Sequence, residues 1–220
     1  MALKEDKNKI NNGLYIVSTP IGNLKDITLR ALDILNLSDF ILCEDTRISK
    51  KLFSHHSINK KVISYHKFNE KKISEKIIGL LKDGQTISLI SDAGTPTISD
   101  PGRILIRRCI DENISIFPVP GPSAVITSLS ISGFSDQFYF HGFLPDTDNS
   151  IKKVFKFLGS LKCTIVFYIS AQKLVKKFEL IKEFFLDREI LICRELTKIH
   201  ESFYRGKVSD VDNFEFNPKG

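Results

Sequence analysis

The sequence predicts an α/β protein of two lobes, the first built on a mostly parallel sheet and the second on a mixed one. Three observations carry this expectation. Between residues 13 and 120, short apolar runs alternate with segments of helical period, as in a parallel sheet covered by helices. Several of those runs end in loops rich in Gly and Pro. Beyond V-P-G-P-S-A at Val119–Ala124 the runs become aromatic and the alternation lapses.

The elements follow in order. Leu14–Ser18 reads as a strand, then Ile27, Ala31, Leu32, Ile34 and Leu35 mark a helix with Asp26 placed to cap it. Phe40–Cys43 is the second strand, followed by a short helix through Ile48 and Leu52. Val62–Tyr65 is the third strand, and Ile73, Ile77, Ile78 and Leu81 line a helix ending near Gly84. Ile87–Ile90 is the fourth strand, its helix runs to about Glu112, and Ile114–Val119 is the fifth. In the second lobe Phe138–Phe143 and Thr164–Ile169 read as strands and Ile151–Leu158 as a basic helix. Leu174–Phe185 reads as one helix, with strands at Ile190–Arg194 and Ser202–Tyr204. The expected division is a solvated tail at 1–12, a first lobe at 13–120 and a second, apparently shortened, lobe at 121–220.

Composition narrows the class. The 220 residues are 42% hydrophobic and 26% charged, ordinary for a globular protein. No apolar stretch approaches bilayer-spanning length, and the first twelve residues lack the apolar centre of a secretory signal, so a cytoplasmic protein with no membrane partner is expected. Cys43, Cys109, Cys163 and Cys193 form no C-x-x-C pair, and the five histidines show no metal-binding spacing, so no metal is expected. Net charge is +6, which suits a polyanion such as RNA. Lysine-rich coding bias explains that charge equally well.

The chemistry is concentrated in loops that follow strands. T-P-I-G-N contributes Pro20, Gly22 and Asn23; D-A-G-T-P contributes Asp92, Ala93, Gly94, Thr95 and Pro96; P-G-P-S-A contributes Pro120, Gly121, Pro122, Ser123 and Ala124. If their strands are parallel neighbours, these loops share one sheet edge, where open α/β folds hold small ligands. The G-x-G-x-x-G fingerprint and the P-loop spacing are both absent, which excludes the standard dinucleotide and P-loop readings. E-D-T-R places Glu44, Asp45 and Arg47 at the end of the second strand. One carboxylate there suits a general base and the guanidinium a phosphate anchor. Helix capping by Asp45 or Thr46, with Arg47 paired to Glu44, reads equally well. His66, Asn69 and Glu70 follow the third strand, and Asn69 also suits an N-cap. Arg194 and Glu195, in R-E-L-T-K, end a strand of the second lobe. Lys152, Lys153 and Lys156, interleaved with Phe155 and Phe157, fit either RNA phosphates or an amphipathic surface helix.

With these motifs assembled, the chain resembles the tetrapyrrole-methylase superfamily of S-adenosylmethionine (SAM)-dependent methyltransferases, and within it the branch that methylates a cytidine 2′-hydroxyl in small-subunit ribosomal RNA. The matching pieces, in order, are Leu14–Leu32, C-E-D-T-R, H-K-F-N-E, the S-D-A-G-T-P loop to Gly102, P-G-P-S-A, G-F-L-P at Gly142–Pro145, and R-E-L-T-K. The resemblance implies SAM in a cleft between two α/β lobes, contained by the three loops and Tyr168, and a homodimer. It implies an RNA partner, expected in the assembled small subunit, met by Arg47, His66, Asn69, Arg194 and Glu195, with Glu44 or Asp45 as base. Other substrates of the superfamily, a tetrapyrrole or a protein side chain, and an RNA-binding relative without turnover are the alternatives. Two departures stand out: F-Y-I-S-A-Q-K puts Ile169, Gln172 and Lys173 where relatives carry Glu, His and Arg, and the chain stops at Lys219-Gly220 where relatives continue into another strand. That stop is expected to leave a ladder of the second lobe unpaired.

Overall fold

The structure, a computed structural model, describes residues 10–215, so residues 1–9 of the expected tail and the Lys219-Gly220 terminus lie outside the described residues. The chain divides into two compact units after Ser123.

In the first unit five strands, β1 (Gly13–Val17), β2 (Phe40–Cys43), β3 (Lys61–Ser64), β4 (Thr86–Leu89) and β5 (Ile116–Val119), form one sheet in the order β3-β2-β4-β1-β5. Every pairing is parallel. Between the strands lie α1 (Leu29–Leu37), α2 (Thr46–His55), α3 (Glu70–Lys82) and α4 (Arg103–Asp111).

The period of two along each strand sorts the core into two layers. Tyr15, Val17, Ile41, Cys43 and Val119 face Ala31, Ile34 and Leu35 of α1 and Leu52 and Phe53 of α2. Leu14, Leu42, Ile87 and Leu89 point the other way, against Ile77, Ile78 and Leu81 of α3 and Leu105 and Cys109 of α4. A sheet buried on both faces explains why its strands read as unbroken apolar runs. Truncating one fully buried residue such as Leu35 to alanine costs about 2–5 kcal/mol. Ile10 packs against the first layer, and the Tyr15 hydroxyl donates to the Asn11 carbonyl at 2.9 Å, so packing contacts extend ahead of β1.

Two local expectations are corrected. Asp26 does not cap α1: it ends a 3₁₀ turn at Leu24–Asp26, and the cap is Thr28, whose side chain accepts from the Ala31 N–H. The expected helix Leu174–Phe185 is instead two, α7 (Ala171–Val175) and α8 (Phe178–Phe185), because the chain leaves helical geometry at Lys177, with φ −113° and ψ 4°.

In the second unit α5 (Ala124–Ser130) leads to β6 (Phe138–Phe143), α6 (Asp148–Gly159) and β7 (Thr164–Tyr168). After α7 and α8 come β8 (Glu189–Arg194), β9 (Ser202–Lys207) and a 3₁₀ segment at Val208–Asn213. Strand directions are mixed: β6 and β7 pair in parallel, β8 and β9 antiparallel, as two separate two-stranded sheets. A cavity of about 470 Å³ lies between Ile165 and Phe167 of β7 and Glu189 and Ile190 of β8. The core gathers Ile151, Phe155 and Leu158 of α6, Phe178, Ile181 and Phe185 of α8, and Val208 and Val211. Phe155 is therefore core, and α6 is an amphipathic helix on which Phe157 is half exposed. Lys173, at one departure position, pairs with Asp146. All four cysteines are free thiols. Among the described residues no helix is long and apolar enough to cross a membrane.

Candidate functional site

Strand order decides where the loops go. Because β4, β1 and β5 are adjacent and parallel, the loops after them leave the same carboxyl edge, and they are hydrogen-bonded to each other. Thr19 N–H donates to the Gly94 carbonyl at 2.9 Å and Gly94 N–H to the Thr19 carbonyl at 3.0 Å, a two-bond bridge between the first and second loops. The Thr19 hydroxyl donates to the Ser91 carbonyl at 3.2 Å. The Thr95 hydroxyl lies 3.0 Å from that of Ser18 and donates to the Pro122 carbonyl at 3.2 Å, tying the second loop to the third.

Two glycines allow this approach. Gly94 has φ +80°, and a Cβ there would lie 3.3 Å from Ile21 Cγ2. At Gly121 a Cβ would come within 2.9 Å of Ser18 Cβ. Thr97 and Ser99 also take positive φ, 72° and 71°, so the long loop after β4 holds strained backbone of the kind that collects at ligand sites. Pro20 and Pro96 are buried braces, whereas Gly22, Asn23, Ala93, Pro120 and Gly121 are exposed along the rim. The Asn23 side chain accepts from Lys25 N–H and caps the 3₁₀ turn, Asp92 and Pro122 are half-buried, and Ala124 opens α5 just after Ser123.

Farther along the same edge the ends of β2 and β3 bring charge. Asp45 N–H donates to Asp92 Oδ1 at 3.0 Å, joining the E-D-T-R segment to the loop after β4. The Asp45 carboxylate accepts from the Arg47 N–H at 2.8 Å and from its guanidinium at 2.6–3.2 Å, so it both caps α2 and pairs with Arg47. These bonds hold its pKa down to about 2. Glu44 behaves oppositely: burial pushes its carboxyl up, the Asp92 carboxylate adds to this, and His66 and Lys67 oppose it. Burial likewise raises Asp92. Asp100 is pushed up to about 6 by burial and by the carboxylates of Glu44 and Asp92. The sequence reading missed Asp100; its signal was a second Asp, in S-D-P-G, on a loop already singled out.

The E-D-T-R alternatives now separate. Arg47 pairs with Asp45, not Glu44, and Asp45 is the cap. Glu44 is the carboxylate with a raised affinity for a proton. Asn69 occupies the N-cap position of α3 without capping it; its side chain accepts from His66 N–H at 2.9 Å and donates to the Ser64 carbonyl at 3.0 Å, fixing the turn after β3. His66 Nδ1 is buried without a hydrogen-bond partner among the described residues. No group of three or more His, Cys, Asp or Glu among the described residues is placed to hold a metal.

The remaining candidates lie in the second unit. Tyr168 ends β7 with its ring 5.0 Å from Phe140 and 5.1 Å from Phe143. Arg194 ends β8 and donates from Nη1 to the His200 carbonyl at 3.4 Å, while its Nε is buried without a partner among the described residues. Glu195 and Thr197 have φ of 52° and 63°, and Lys198 donates to Glu195 Oε1 at 2.9 Å.

An open parallel sheet whose carboxyl rim is built from interlocked loops beside a carboxylate cluster defines the class of α/β enzymes that hold a small ligand at their strand ends. The chain belongs to the tetrapyrrole (corrin/porphyrin) methylase family, whose profile matches residues 13–212. It is 49% identical over 209 residues to the ribosomal RNA small subunit methyltransferase I of Rickettsia prowazekii (strain Madrid E), covering 94% of this chain and 75% of that one. The enzyme of the same name from Mesomycoplasma conjunctivae is 48% identical over 209 residues, 94% of this chain and 87% of its own. Among solved structures, that of diphthine synthase superposes with a TM-score of 0.72 at 13% identity over 93% of this chain and 85% of that one, a likeness of fold.

SAM is the methyl donor of this family, and the rim suits it. Gly94 and Gly121 let the three loops close on one another, and the half-buried Glu44, Asp92 and Asp100 favour a cationic sulfonium nearby.

Proposed function

We propose that this chain transfers a methyl group from SAM to the 2′-hydroxyl of a cytidine ribose in small-subunit ribosomal RNA. The observation that carries the reading is the juxtaposition, on one sheet edge, of the three-loop rim with Glu44 and Arg47. The names of the relatives supply the RNA.

When bound, SAM supplies an electrophilic methyl on a sulfonium that leaves as a neutral thioether. Residues of the three loops, from Pro20, Asp92 and Pro120 onward, hold it. Methyl transfer is an in-line displacement, so fixing donor and acceptor supplies much of the acceleration. A ribose hydroxyl is a weak nucleophile, and Glu44 takes its proton as the oxygen–methyl bond forms. Asp45 is unsuited to that role, because its carboxylate is held by Arg47. It orients the guanidinium of Arg47, whose side chain is 89% exposed and can meet phosphate. His66 offers its imidazole to the RNA, and Asn69 positions it. Tyr168 as a cofactor contact and Arg194 and Glu195 as RNA contacts belong to the same proposal. So do the two lobes at 13–120 and 121–220, a homodimer, the assembled subunit as substrate and a cytoplasmic location.

The test is methyl transfer from labelled SAM to small ribosomal subunits lacking the modification, followed by nucleoside mass spectrometry. A 2′-O-methylcytidine that appears with the enzyme supports the reading. Tight SAM binding with no methylated RNA overturns it in favour of a non-catalytic or differently directed relative.

A further inference from the structure

We infer that Phe68 is a stacking platform for a base of the RNA substrate; the inference rests on the RNA reading above. Phe68 is 85% exposed, the highest value for an aromatic side chain among the described residues. A phenylalanine left in water contributes none of its burial energy to folding. Nor does it sit on a loose tip. Its turn is closed by Asn69 N–H and Glu70 N–H donating to the His66 carbonyl, both at 2.9 Å, and by His66 N–H donating to Asn69 Oδ1 at 2.9 Å. The backbone that carries the ring is thus held in place.

That place adjoins the proposed reaction edge. β3 pairs with β2 through Cys43 and Ser64, and Tyr65 N–H donates to the Cys43 carbonyl at 2.7 Å, so the turn begins one strand away from Glu44. His66 and Lys67 are close enough to influence the Glu44 carboxyl. The surroundings select nucleic acid over protein. A protein-binding anchor sits within an apolar patch, whereas Phe68 stands among exposed Lys67, Lys71 and Lys72. Lys67 Nζ lies 4.9 Å from the ring centroid, and the His66 ring is 6.0 Å away, edge-on. An aromatic face with cations beside it matches a base and its phosphates.

Steady-state methylation of small subunits by Phe68→Ala, Phe68→Leu and Phe68→Trp tests the assignment. Alanine and leucine should lower kcat/KM roughly tenfold to a hundredfold, chiefly through KM. Tryptophan, which stacks, should keep the parental value, and SAM binding by calorimetry should be unchanged in all. Parental kinetics for alanine and leucine overturn the inference while leaving the proposed function intact. Leucine restoring what alanine loses also overturns it, pointing to an apolar protein contact. If the parent enzyme itself methylates no RNA in these subunits, the functional reading has failed and this one falls with it.

Discussion

The backbone N–H of Asp45 donates to Asp92 Oδ1 across 3.0 Å, so the second residue after β2 is anchored by a carboxylate from the loop after β4. The same carboxylate raises the pKa of Glu44. Asp92→Asn keeps an oxygen to accept the Asp45 N–H and removes the charge. Glu44 should then lose its proton at lower pH, and the acid limb of the kcat/KM profile should shift downward. An unmoved limb would show that Glu44 does not control the rate.

Glu44 and Asp45 are neighbours in sequence with different work. Glu44→Gln should lower kcat by about a hundredfold or more with SAM affinity preserved. Asp45→Asn should act mainly on KM for RNA, because it loosens the Arg47 guanidinium, while its remaining oxygen still caps α2. Single-turnover rates beside thermal melts separate the two effects.

Asp100 gives stability a definite pH dependence. Its folded-state pKa of about 6 lies above the ordinary carboxylate value, so the native state holds this proton more tightly than the unfolded chain. The stability it contributes is full below the unfolded value and is lost as pH rises through about 6. Asp100→Asn should raise the melting temperature near pH 7.5 and leave it little changed near pH 4. A difference of equal size at both pH values would contradict the assignment.

Gly121 is more tightly enclosed than Gly94, the other glycine at the loop junctions. Gly121→Ala puts a methyl 2.9 Å from Ser18 Cβ and forces the third loop away from β1. We expect a loss of about 1–3 kcal/mol in stability and weaker SAM binding by calorimetry. Gly79→Ala is the control: nothing lies within 4 Å of its Cβ position on α3, so it should stabilise by about 0.5–1 kcal/mol and leave SAM binding alone.

Much of the fold was legible because its periodicity is strong. Phe40–Cys43 and Phe138–Phe143 were read with the bounds the structure shows. The misreadings were local. Asp26 and Thr28 are both good caps, and the choice turned on a 3₁₀ turn that begins at Leu24. The break between α7 and α8 leaves no Gly or Pro in the sequence to mark it.

By itself the sequence determined the parallel first sheet, the loop chemistry and the family, because these rest on local pattern and on ordered motifs. Only the tertiary structure decided that Thr19 bonds Gly94, that Arg47 holds Asp45 instead of Glu44, and that Asp100 joins Glu44 and Asp92. The physical reason is distance. Apolar periodicity shows which face of a strand is buried, but a carboxyl's proton affinity sums burial and charge from residues remote along the chain, and strand order and the path of the loops set those separations.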